Sequence, residues 1–124
     1  MMSNAESERR IREPSFLAFC GGLLAALGVG LSAWAAHGVS IPEVRAHLET
    51  AALYALVHGA VLVLIGPMGL NAVGRMARAI LFVGALLFVG SVAGGALGMW
   101  PDTLAPVGGV AMIAGWVLLA ISSL

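Results

Sequence analysis

Long apolar runs separated by short polar breaks are the dominant pattern of this chain. From Ser15 to Ala36 no charge interrupts the sequence, and at about 1.5 Å per residue a helical run of that length crosses a hydrocarbon core of roughly 30 Å. A second apolar run follows from Thr50 to Ile65, a third from Ala79 to Trp100 and a fourth from Ala105 to Leu124. Period-two alternation suited to a β-barrel is absent. The pattern predicts an all-α polytopic membrane protein, an antiparallel bundle of four transmembrane helices over about residues 15–36, 48–66, 79–100 and 105–124.

The breaks between the runs carry recognisable punctuation. Ser40, three residues before Glu43 and with Pro42 between them, reads as a capped helix start. The second helix therefore begins near Ile41, and its first turns, with Arg45 and His47, lie at the headgroups. Gly66-Pro67 ends it, residues 71–78 read as a short loop bearing Arg75 and Arg78, and Pro101-Asp102 ends the third run. Residues 1–14 are polar and without apolar period, which predicts a surface tail. A cleaved signal peptide is the alternative for the first run, because Ala33-Trp34-Ala35 resembles a cleavage site.

Composition strengthens the membrane reading: 60% of residues are hydrophobic, 10% are charged, and mean hydropathy is +1.03. So small a soluble domain has too little interior for that much apolar surface. A formal net charge of zero provides no basic face for nucleic acid. Cys20 is the single cysteine, so no disulfide forms within the chain, and in an apolar run it reads as a small hydrophobe.

Charge placement does change the picture. Arg9, Arg10, Arg12, Arg75 and Arg78 belong to the amino-terminal tail and the second loop, whereas the first loop has Arg45 and the third none. The excess of arginine on one side predicts that both termini are cytoplasmic. Trp34 and Trp100 then share the outer interface, as an aromatic belt would have them.

Helices associate in lipid through close approach at small residues. Two four-residue stripes offer that, Ala18-Gly22-Ala26-Gly30 in the first helix and Gly90-Gly94-Gly98 in the third. They predict packing within one bundle, with pairing between copies as the alternative.

Few polar residues lie inside the runs. At 100° per residue His47, Ala51, Tyr54 and His58 share a face of the second helix. Depth counting places Ser91 of the third helix near Tyr54, so Tyr54, His58 and Ser91 form a candidate intramembrane hydrogen-bonded cluster. His37, His47 and Glu49 form a candidate polar group at the outer interface. Ionisable residues at membrane depth point to proton or ligand paths, but one histidine tying two helices is the plainer reading. His37 and His58 are too far apart in depth to hold one haem, and zinc lacks a third ligand at a useful spacing. No nucleophile motif, phosphate loop or oxyanion-hole motif accompanies Ser91. The residues predict no cofactor, no metal and no catalysis; the partners are the lipid bilayer and a second copy or another membrane protein.

Several motifs in order carry a resemblance: Ala35-Ala36-His37-Gly38, then Glu49-Thr50-Ala51 with Tyr54 and His58, then Phe88-Val89-Gly90-Ser91, then Ala105-Pro106-Val107-Gly108-Gly109 with Gly115-Trp116. Together they resemble the small four-helix membrane family catalogued as domain of unknown function 423, whose animal relatives are called transmembrane protein 256. The resemblance implies four spans, a bacterial inner (plasma) membrane location and no established activity. Family members usually carry glutamine after the tyrosine and an aromatic residue before the histidine, where this chain has Ala55 and Val57. Any polar site of the family is thinner here. The sequence favours a non-catalytic accessory or scaffold bundle, with a small oligomeric transporter or proton-linked carrier using Tyr54, His58 and Ser91 as the rival.

Overall fold

The computed structural model describes residues 14–124. The expected tail, residues 1–14, lies outside that range except for Pro14. Four helices follow in order: α1 (Phe16–Gly38), α2 (Pro42–Ile65), α3 (Ala72–Ala96) and α4 (Ala105–Ser122). All four are long and apolar enough to cross a membrane.

Their ends follow from local chemistry. The Ser15 hydroxyl accepts from the Ala18 amide at 3.1 Å and starts α1. Pro42 opens α2, but its N-cap residue is Ile41, without a side-chain cap bond, so the expected Ser40 cap does not form. Arg45 instead fastens the α1–α2 turn, donating from Nε and Nη2 to the Val39 carbonyl at 3.1 and 2.6 Å.

The stretch expected as a loop, residues 71–78, is helix from Ala72 onward. Asn71 caps it, its side-chain oxygen accepting from the Gly74 amide at 2.8 Å. A cap able to satisfy an orphan amide outweighs the polarity of Arg75 and Arg78, which project from the first turns. At its other end α3 stops at Ala96, short of the expected Trp100. Gly98 adopts φ +72°, and the Met99 and Gly98 amides return to the Gly94 and Gly95 carbonyls at 2.9 and 3.1 Å. This is a Schellman motif, which needs a residue free to enter the left-handed region.

The chain folds as two antiparallel helical hairpins, α1–α2 and α3–α4, joined mainly through α2 against α3. Each hairpin closes on glycine. A Cβ on Gly59 would stand 2.5 Å from the Ala25 amide nitrogen and the Gly21 carbonyl oxygen, and one on Gly108 would stand 2.5 Å from the Phe88 nitrogen. The small, closely packed positions recur every seven residues, as Gly21, Gly28 and Ala35 in α1, Ala52 and Gly59 in α2 with Gly66 just past its end, Ala77, Gly84 and Ser91 in α3, and Gly108 and Gly115 in α4. Seven is the repeat of left-handed helix packing.

The expected four-residue stripes do not close the bundle. Gly30 and Gly90 have nothing within 4 Å of an added Cβ, Gly22 has only a Val63 methyl at 3.8 Å, and Gly94 receives the Trp100 ring rather than a helix. The core where the hairpins meet is Leu24, Ala51, Ala55, Ala85, Val89 and Met112. The first run packs on α2 through Gly21 and Gly28.

Candidate functional site

α2 buries Leu48, Ala51, Ala52, Ala55, His58, Gly59 and Leu62. His58 therefore sits on the packed face, with 4% of its surface exposed, while Tyr54, one turn earlier, lies at the margin with 37% exposed. The two rings stack at 5.8 Å between centroids and 13° between planes. Phe88 of α3 covers Tyr54 at 4.7 Å. Trp116 of α4 meets His58 edge-on, at 5.8 Å and 64°.

The hydrogen bonds fix the state of the imidazole. Trp116 Nε1 donates to His58 Nε2 at 3.1 Å. An indole nitrogen has no acceptor capacity, so Nε2 carries the lone pair. Nδ1 then carries the proton and donates to the Tyr54 carbonyl at 2.8 Å. Both ring nitrogens are used, and the ring ties α2 to α4 across the bundle.

A pocket of about 200 Å³ opens between α2, α3 and α4, walled by Tyr54, His58, Phe88, Met112, Ile113 and Trp116. Its walls hold no carboxylate, thiol or serine. The Tyr54 hydroxyl has no hydrogen-bond partner among the described residues, and it is the one donor free to meet a guest.

Ser91 does not join this group. Its Oγ is buried and makes no hydrogen bond among the described residues. Two causes separate it from His58. Tyr54 packs on Phe88, so Ser91 lies three residues beyond that level while His58 lies four residues to the other side, an offset of about 10 Å along the axes. Ser91 is also seven residues from Gly84, which packs on Gly108 and Met112, so it faces α4 as a small packing residue.

His37, His47 and Glu49 are exposed, and no hydrogen bond or ion pair joins them among the described residues. Nor do three His, Cys, Asp or Glu side chains converge anywhere among those residues as a metal site would require. Trp34 and Trp100 do occur at one end of the molecule. Trp100 folds back onto α3, its Nε1 donating to the Gly90 carbonyl at 3.1 Å.

Trp116 is the partner of His58 that the apolar pattern did not single out. A depth count from the shared end would have found it, since His58 is seven residues from the end of α2 and Trp116 six from the end of α4. Both are then about 10 Å deep from that end.

These features define an all-α polytopic membrane protein with one polar tie inside the bundle. Residues 31–109 match the family described as protein of unknown function (DUF423). A UPF0382 membrane protein of Staphylococcus aureus (strain bovine RF122 / ET3-1) is 32% identical over 111 residues, covering 83% of this chain and 90% of the relative. One from Staphylococcus haemolyticus (strain JCSC1435) is 33% identical over 110 residues, with the same coverage. The chain belongs to this family. No solved structure matches it.

Proposed function

We propose that this chain is a non-catalytic accessory or scaffold bundle of the bacterial inner membrane. The observation that carries the reading is His58, both of whose nitrogens are consumed inside the protein, one by the Tyr54 carbonyl and one by Trp116. A relay residue needs a free donor or acceptor toward the next site, and the surrounding walls supply no second titratable group apart from the Tyr54 phenol. The bacterial relatives bear names that state only membrane residence, which fits the reading without extending it.

A small proton-linked carrier is the rival, and the pocket beside Tyr54 is the observation in its favour. Ser91 is not among the residues that line this pocket. The deciding experiment is flux through purified protein in liposomes between about pH 5 and 8, the interval in which an ordinary histidine changes charge. No proton or solute flux above empty liposomes is expected, and His58→Gln should leave that baseline unchanged. Flux in the parent that His58→Gln abolishes, at unchanged thermal stability, would replace the scaffold with the carrier.

A further inference from the structure

At the end of the bundle where α2 finishes and α1 and α3 begin, Arg78 is held in an unusual way. Its Nη1 donates to the carbonyls of Gly66 at 2.7 Å, Ile65 at 3.3 Å and Met68 at 3.3 Å. These carbonyls end α2 and form its following turn, where those of Ile65 and Met68 also accept from the Met68 and Leu70 amides at 3.1 and 3.0 Å. The anchoring uses one of three guanidinium nitrogens. Nε and Nη2, with three of the five N–H groups, make no hydrogen bond among the described residues. They form the side-on fork that matches a phosphate or carboxylate edge bidentately.

Arg78 lines a pocket of about 200 Å³ closed by Pro14 and Ser15 on one side and by the turn Gly66–Gly69 on the other. The Ser15 hydroxyl accepts from the Ala18 amide, which leaves its own hydrogen free to be donated. Arg75 lies one turn away, with Nη1 on the Leu70 carbonyl at 2.9 Å. Among the described residues the acids Glu43, Glu49 and Asp102 all belong to the opposite half of the molecule. The pocket is thus a polar recess with a fixed cation and no described counter-ion, at the ends of three spans, where bilayer phosphates lie.

We propose that this recess binds one phosphoryl group, which Arg78 holds through Nε and Nη2. The two sources of that chemistry are a phospholipid headgroup and free phosphate. A guanidinium pinned by backbone carbonyls loses little further freedom on binding, and basic recesses between helix ends are where anionic headgroups settle.

The test uses the full chain in detergent, read by native mass spectrometry with phosphatidylglycerol, with diacylglycerol, which lacks the phosphate, and with inorganic phosphate as competitor. One phosphatidylglycerol should stay bound about tenfold more than diacylglycerol, the scale of one charge-assisted fork. Displacement by millimolar phosphate would assign the site to the free anion, and resistance to it would assign the lipid. Arg78→Lys, which keeps the charge and loses the fork, should weaken retention about tenfold, and Arg75→Gln less than about threefold. Equal retention of both lipids, or a folded Arg78→Lys variant with unchanged retention, would overturn the proposal and reduce Arg78 to a cap on α2. If Arg78→Lys does not fold by circular dichroism, the lipid comparison on the parent protein decides.

Discussion

At the scale of single residues, the two buried polar side chains among the described residues, His58 and Ser91, behave in opposite ways. His58 satisfies both nitrogens, so removing its partner leaves a lone pair stranded in an apolar interior. Trp116→Phe keeps most of the ring and deletes the donor. It should destabilise the bundle by about 1 kcal/mol, the usual scale of an interhelical hydrogen bond in lipid. A double-mutant cycle with His58→Ala, read by reversible unfolding in mixed micelles, should return a coupling of about 0.5–1.5 kcal/mol. Additive losses would dissolve the tie. Ser91 holds an unpaired hydroxyl, so Ser91→Ala removes a desolvated group at little cost in volume and should be neutral or stabilising by up to about 1 kcal/mol. A loss above that range would reveal a partner for the hydroxyl. The sequence disclosed His58 as polar in an apolar run, but nothing in its own helix pointed to Trp116. That partner lies 58 positions away on α4 and becomes visible only when helix ends are aligned.

At the scale of the helix, glycine spacing decides how the hairpins close. Both four-residue and seven-residue stripes are legible in a chain with 17 glycines, and the sequence does not rank them. The facing helix does the ranking. Gly21 and Gly28 succeed because Gly59 and Ala52 present equally small surfaces at matching heights, whereas Gly30 meets no neighbour. Span number and approximate bounds were legible because hydropathy alone sets them. The start of α3 was not, since one asparagine cap outweighs seven residues of loop-like polarity. The contrast is testable with one methyl group. Gly59→Ala drives a Cβ into backbone atoms of α1 at 2.5 Å, contacts that no side-chain rotation relieves, and should cost about 1–3 kcal/mol. Gly30→Ala adds a Cβ in open space and should be neutral or gain about 0.5 kcal/mol from helix propensity. Equal effects of the two variants on unfolding would mean that the hairpin closes on another face.

At the scale of the whole molecule, an antiparallel bundle of four described spans puts Pro14 and Leu124 at the same membrane face, and the Asn71 side chain joins that face by donating to the Ser122 carbonyl at 3.1 Å. Arg75 and Arg78 belong to the same end, whereas Glu43 and Asp102 with the single Arg45 belong to the other. Arginine resists translocation and acids hardly influence it, so the arginine-bearing end is the one expected to remain in the cytoplasm. A fluorescent reporter fused after Leu124 should therefore fold and emit, and alkaline phosphatase at the same position should be inactive. The phosphatase placed in the α3–α4 turn near Thr103 should be active. Exchanging Arg75 and Arg78 for glutamine weakens the retained side by two charges and should produce a mixed population in which phosphatase after Leu124 gains activity. A periplasmic signal at Leu124 in the parent chain would invert the bundle. It would also place the Arg78 recess against the outer leaflet, leaving the phosphoryl chemistry of that recess intact while changing which lipids can reach it.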